Sequence, residues 1–257
     1  MKTNSLGFIG GGRITKIFLQ AFANQEVEFK SVVVYDIDPK AVLTLKSQFP
    51  TIEIAETLEQ AAKQPTVIIA LHPPVIIETL DKIADSVSSD SLVISLAPKI
   101  TIEKMASKLK TGNIARMIPN ATSYINEGYN PITFASSFAP NDKESVLKML
   151  KPLGTTFEVE ESKLEAYAIL SAMAPSYFWF QWNVLRKLGP QMGLTKEETD
   201  ASIHQTLKSA LKLMLKSDIS PEQVIDLIPV KPIGEHEAQI TEIYQTKLMG
   251  LFGKIKP

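Results

Sequence analysis

The chain has 257 residues, 44% of them apolar and 21% charged, with a formal net charge of -1 and no cysteine. That size and balance permit a sizeable buried core in one large domain or two modest ones and exclude a disordered chain. They also exclude disulfides, thiolate metal sites and a cysteine nucleophile, and a near-neutral charge without basic clusters leaves no footprint for nucleic acid or an acidic membrane surface.

Lys2 and the short apolar run after it have the outline of a secretory leader, but Gly7, Gly10, Gly11, Gly12 and then Arg13 interrupt the run too early. The longest other apolar run, Val67 to Ile77, contains His72, Pro73 and Pro74, so no membrane span is expected and a cytoplasmic location fits. The three histidines, His72, His204 and His236, are scattered and make no metal site.

In chain order, Leu6 to Ile9 reads as a buried strand, and Ile14, Ile17, Phe18, Ala21 and Phe22 recur at helical spacing after the glycines. Ser31 to Tyr35 is a β-branched strand ending at Asp36, with a helix over Lys40 to Phe49. The alternation continues with strands near Ile52 to Ala55, Thr66 to Leu71, Ser91 to Leu96 and Ile114 to Met117. Helices over Thr57 to Lys63, Val75 to Val87 and Ile102 to Leu109 lie between them. Two weaker strands, Pro131 to Ala135 and Thr155 to Glu158, flank a helix over Asp142 to Leu153. Such regular alternation predicts a mostly parallel sheet covered on both faces, an α/β Rossmann-type domain over residues 1–160.

After Glu161 long helical periodicities replace strands, so residues 161–257 are expected to form an all-α domain. Ile203, Leu207, Ala210, Leu211, Met214 and Leu215 make one apolar face, and Ser220-Pro221 reads as the cap and first residue of the next helix. Phe178, Trp179, Phe180 and Trp182 would make one helix greasy nearly all round, which favours burial between subunits over a substrate cage.

Gly10-Gly11-Gly12-Arg13-Ile14-Thr15 supplies the first two glycines of a dinucleotide fingerprint, with Thr15 at the third small position. Gly10 permits the tight turn, and Gly12 lets the backbone approach a pyrophosphate at the following helix N-terminus; Thr15 is expected to loosen helix-to-strand packing. Asp36, about twenty residues on, is placed to accept hydrogen bonds from the adenosine ribose hydroxyls. Asp36 could instead cap the next helix, although Asp38 before Pro39 is the better cap. A carboxylate there repels a 2′-phosphate, so the sequence leans to NAD(H) over NADP(H), with Arg13 close enough to blur the preference.

These residues resemble the pyrroline-5-carboxylate reductase family, over essentially the whole chain. "LGFIGGGRI" is similar to the family's opening turn, "VIIALHP" to its strand-end motif, and "VISLAPKITIEKM" to its next strand and helix. The most specific match is "RMIPNATSYINEG", Arg116 to Gly128, which resembles the Met-Pro-Asn-Thr-Pro segment; "LSAMAPSYFWF", Leu170 to Phe180, resembles the Ser-Gly-Ser-Gly-Pro-Ala-Tyr helix start. The resemblance implies a reductase that passes a hydride from NAD(P)H to a small cyclic imine in proline biosynthesis. It also implies a helical domain that intertwines with a second copy, giving a homodimer or a ring of dimers. This chain departs from the family at the substrate loop, where Pro-Gly-Gly-Thr-Thr gives way to Pro229-Val230-Lys231-Pro232-Ile233-Gly234-Glu235. Met173 replaces the second serine of the helix motif, and His72 replaces the strand-end lysine. The imine could therefore be pyrroline-5-carboxylate or a relative.

On this reading Gly10, Gly11, Gly12, Arg13 and Ile14 receive the pyrophosphate, Asp36 the ribose, and Ala70, Leu71, His72, Pro73 and Asn120 line the route to the nicotinamide. His72 reads equally as an exposed loop residue and Asn120 as an Asx-turn. Ser171, Lys231, Ile233 and Gly234 are the candidate substrate residues, Lys231 as partner of a carboxylate or as a solvated lysine, Ser171 as a ligand or a helix cap. Glu235 and His236 could supply an acid and a base or sit idle at the surface. Hydride transfer to a protonated imine needs little acid catalysis, so no side chain is assigned as a catalytic acid. The alternative function is a dinucleotide-binding paralogue with little turnover that regulates or assembles with another protein.

Overall fold

The computed structural model describes residues 5–257, so Lys2 lies outside the described residues. β1 (Leu6–Ile9), α1 (Arg13–Asn24), β2 (Val32–Tyr35), α2 (Pro39–Gln48), β3 (Glu53–Ile54), α3 (Leu58–Ala62) and β4 (Thr66–Ile69) form the first half of a doubly wound sheet. α4 (Pro73–Ile83), β5 (Leu92–Ser95), α5 (Ile102–Ala106) and β6 (Ile114–Met117) form the second. β7 (Gly128–Phe134), α6 (Pro140–Leu150) and β8 (Gly154–Glu158) extend it, giving the strand order β3-β2-β1-β4-β5-β6-β7-β8. β7 runs antiparallel to β6 and parallel to β8, and the other pairs are parallel.

Alternate residues along the strands feed the two faces, as a period of two requires. Leu6, Phe8, Val34, Ile68 and Ile94 pack on one side with Phe18 and Phe22 of α1 and Leu150 of α6. Ile9, Val33, Val67, Ile69 and Val93 pack on the other with Ile76, Leu80 and Ile83 of α4. The strands are buried on both faces, which is why they read as unbroken apolar runs.

The element types follow the sequence, and the ends move for local reasons. α4 begins at Pro73, two residues earlier than its apolar periodicity suggests, because prolines fit a first helical turn that needs no N–H donors. β4 stops at Ile69, and Ala70 and Leu71 leave the sheet at its carboxyl edge. β7 starts at Gly128 and runs through Pro131, which the sequence placed at the strand's beginning. The helix expected over Asp142 to Leu153 closes in a 3-10 turn, Lys151–Leu153.

Two compact units emerge, one running to Met173 and including Phe252–Pro257, the other Ala174–Leu251. The first also contains α7 (Leu164–Tyr167), which passes into a π-helical turn, Ala168–Ala172. The second is helical: α8 (Ala174–Leu188), α9 (Lys196–Lys216), α10 (Pro221–Asp226) and most of α11 (Glu237–Ile255). Ser220 caps α10 with Pro221 at its first turn, as its sequence predicts, and Thr195 with Glu198 forms a second capping box at α9.

Candidate active site

Carboxyl ends of parallel strands gather ligands, and here the ends of β1, β4, β5 and β6 surround one cavity of about 300 Å³. Gly12, Arg13 and Ile14 line one side of it with Ala70, Leu71, His72 and Pro73. Leu96, Ala97 and Pro98 beyond β5, Ile118 and Pro119 beyond β6, Ala168 and Ala172 of the π-helical turn and Met173 just after it line the other. A second cavity, of about 520 Å³, opens on the β2 side of the glycine turn and is lined by Gly10, Tyr35, Asp36, Ile37 and Leu71 with Glu56, Glu59, Glu78 and Lys82.

The glycines of the turn answer to different demands. Gly10 has φ +108°, and a Cβ there would lie 2.4 Å from the Ala70 carbonyl oxygen, so the fold itself requires glycine. A Cβ on Gly11 would be tight against Val42 and Asp36 at 3.1 and 3.3 Å. A Cβ on Gly12 would meet nothing within 4 Å. Gly12 is also the N-cap of α1 with no side-chain cap hydrogen bond, so open space lies directly over a helix N-terminus.

Thr15 corrects an expectation. It does not loosen the turn: it is fully buried and its hydroxyl donates to the Gly10 carbonyl, tying α1 back to the turn. Close approach to the first strand is supplied instead by Gly7, where a Cβ would sit 1.9 Å from the Ala61 carbonyl oxygen of α3.

Asp36 does not cap α2; Asp38 does, accepting from the Lys40 N–H at 3.0 Å. One Asp36 oxygen accepts from the Gly11 N–H at 2.6 Å and the other from the Asp38 N–H at 2.8 Å. Each carboxylate oxygen keeps a lone pair, so the group is fixed against the turn and still able to accept. Around it, Lys82 is paired with Glu78 at 2.6 Å, and that contact raises the lysine's pKa above its ordinary value. The Glu59 carboxyl is held below its usual range, chiefly by its own backbone N–H and then by Thr57.

His72 is exposed, caps α4 through backbone position alone and faces the first cavity. Asn120 and Ser171 are brought together, though by each other: the Asn120 amide donates to the Ser171 carbonyl at 3.1 Å and lies 3.4 Å from its hydroxyl. The Asn120 oxygen accepts from the Thr122 N–H at 2.9 Å, so the Asx-turn reading describes its contacts. The Ser171 hydroxyl donates to the Tyr129 carbonyl at 3.0 Å, so it does not cap a helix. Lys231, Ile233 and Gly234 lie together in a shallow depression of the helical unit with Ile225 and Ile228.

Sequence reading missed Arg116 as a charged centre. It is completely buried in β6, with Nη2 2.6 Å from Glu165 and Nη1 2.8 Å from Glu161. The signals were present: a lone arginine in an apolar strand demands a partner, and two glutamates at i and i+4 offer one.

The family described as "NADP oxidoreductase coenzyme F420-dependent" matches residues 5–99. The chain is 26% identical over 226 residues to pyrroline-5-carboxylate reductase of Escherichia coli (strain K12), covering 87% of this chain and 84% of that one. It is 22% identical over 252 residues to the enzyme of Corynebacterium melassecola, covering 96% and 93%. Its fold is similar to that of Plasmodium falciparum pyrroline carboxylate reductase, solved with NADP bound, with a TM-score of 0.72 and 21% identity over 99% of this chain and 95% of that one. The Streptococcus pyogenes enzyme gives a TM-score of 0.74 at 18% identity over 98% and 96%. In sequence, over nearly the whole chain, and in fold the protein is thus similar to pyrroline-5-carboxylate reductases.

Proposed function

We propose that this protein is a nicotinamide-dependent reductase that transfers a hydride from NAD(P)H to a small cyclic imine, pyrroline-5-carboxylate or a close relative. The observation that carries the reading is Gly12: the fold does not need a glycine there, and the space its missing side chain leaves lies over the uncapped start of α1. An anion is what that place favours, through backbone N–H groups and the positive end of the helix.

The residues present suit a dinucleotide laid across the glycine turn. Gly10, Gly11, Gly12, Arg13 and Ile14 hold the pyrophosphate, and Asp36 accepts from the adenosine ribose in the cavity on the β2 side. Ala70 to Pro73 line the nicotinamide side, with Asn120 supporting its far wall through Ser171. The bound cofactor supplies the hydride. The protein's part is to orient the ring and keep water away, which the apolar wall of Ala97, Pro98, Ile118 and Met173 suits.

NADH is the preferred donor. Asp36, Glu56, Glu59 and Glu78 line the adenosine-side cavity, and the lysine lining it, Lys82, is already paired with Glu78, so a 2′-phosphate meets mainly repulsion in that cavity. Lys231, with Ile233 and Gly234, contributes the charge for a substrate carboxylate where family members use hydroxyls. Residues 1–160 serve the cofactor, together with the 161–173 segment that completes its cavity, and the helices beyond pair two copies. α8 and α11 bury no residue within the chain while Phe180 and Val184 stay at least half exposed and Trp179 nearly so, as a homodimer face would. No helix among the described residues is long and apolar enough to cross a membrane, and cytoplasmic work on a small metabolite fits.

Titration of the purified protein with NADH and NADPH tests the reading. NADH binding lost in Gly12→Val without a change in melting temperature supports it, and equal binding by Gly12→Val removes the turn from the site.

A further inference from the structure

We infer that Arg116 is a positioning residue that sets the shape of the nicotinamide-side cavity through Glu165 and Glu161. The inference rests on the dinucleotide reading above and extends it to residues that touch no ligand.

Arg116 stands in β6 two residues before Ile118, which lines the cavity. Its guanidinium reaches Glu165 in α7 and Glu161 just before it, on the segment that leads into the π-helical turn. The Glu165 oxygen that pairs with Arg116 also accepts from the Lys99 N–H at 3.0 Å, and the Glu161 oxygen accepts from the Ile102 N–H at 2.8 Å. Lys99 is held at φ +75°, a left-handed conformation that a lysine adopts only when its surroundings impose it. It follows directly on Ala97 and Pro98 of the cavity wall. One charge-paired anchor therefore joins the ends of β5 and β6 to the turn bearing Ala168, Ala172 and Met173, the three segments that face Gly12 and His72 across the cavity.

The anchor is an expensive way to hold a fold. Both Arg116 and Glu165 are stripped of water, and Arg116 Nε is buried without a hydrogen-bond partner. Apolar residues of similar volume commonly serve stability as well as a buried ion pair does, whereas a pair with two fixed geometries at its ends dictates where backbone goes. What Arg116 fixes is the wall against which a nicotinamide ring would lie. The glycine turn and Asp36 are held by contacts that do not involve it.

The test compares NADH with ADP-ribose, which lacks only the nicotinamide ring, by calorimetry on the full chain. Glu165→Gln should weaken NADH about tenfold while ADP-ribose changes by less than about twofold. The double variant Arg116→Met, Glu165→Met removes both charges together and so guards against simple unfolding. It should melt close to the unsubstituted protein and still show the selective loss of NADH. Equal loss of both ligands, or no loss of either, in a folded variant would reduce Arg116 to a structural role and overturn the inference. If the unsubstituted protein binds neither ligand, the dinucleotide reading itself fails, a result distinct from unselective loss.

Discussion

In the α/β unit, the cavity-lining residues are held by contacts within the chain: Gly10 by the Tyr35 carbonyl, Asp36 by the Gly11 amide, Pro98 through Lys99 and Glu165. In the helical unit, the rewritten loop Pro229 to Glu235 has no buried residue, and Val230 and Ile233 are 72% and 69% exposed. The first region is finished as a single chain, and the second offers apolar surface and a lysine that the chain leaves uncovered. On the proposed function, the cofactor's geometry is built locally, while the substrate's depends on groups the isolated chain does not fix.

Substitutions can break that contrast, beginning with the largest effect. Arg116→Met alone leaves Glu165 buried and uncompensated and should cost about 3–5 kcal/mol, read as a lower urea midpoint at unchanged slope. Gly10→Ala should also destabilise, by roughly 1–3 kcal/mol for the strained backbone with the Ala70 clash in addition, whereas Gly12→Val should leave stability within about 0.5 kcal/mol and weaken NADH at least about a hundredfold. Equal destabilisation by the two glycine variants would dissolve the distinction between a glycine the fold needs and one the ligand needs.

Asp36→Ala should shift the ratio of NADPH to NADH efficiency toward NADPH by about tenfold, since it removes one ribose acceptor and one repelling charge. An unaltered ratio would take Asp36 out of the adenosine site. Lys231→Ala should raise KM for a carboxylated imine about three- to tenfold with the melting temperature unmoved, and an ordinary KM would return Lys231 to solvent.

The smallest effect is a pH dependence confined to the helical unit. Arg186 grips Asp200, with Nη2 at 2.8 Å from the carboxylate, and this hydrogen bond leads in holding the Asp200 pKa below its ordinary value. A carboxyl depressed by folding adds stability that is fully present above its unfolded pKa and is lost as pH falls toward the folded one. Asp200→Asn should therefore flatten the acid limb of the melting profile below about pH 4 and leave neutral pH nearly unchanged.

Much of this was legible in the residues. The strand-turn-helix at the start, Asp36 at the end of the second strand and the change to helices after Glu161 are local patterns, and local patterns survive in a linear string. Thr15 and Gly7 were misjudged or overlooked because their partners, the Gly10 carbonyl and Ala61, are defined by backbone approach and not by side-chain type. The Asn120–Ser171 and Arg116–Glu165 contacts join residues 51 and 49 positions apart, and only the order of the sheet brings them together. α8 is apolar nearly all round and α9 carries a periodic apolar face, yet the chain leaves both largely uncovered, so the pattern identified the helices without identifying what they pack against.

The most direct test of the central claim is steady-state oxidation of NADH and, separately, NADPH by the purified protein offered pyrroline-5-carboxylate and related cyclic imines. The account predicts turnover with at least one such imine, faster with NADH than with NADPH. Tight dinucleotide binding with no oxidation by any of them would contradict it and leave a binding protein that has kept the turn and lost the reaction.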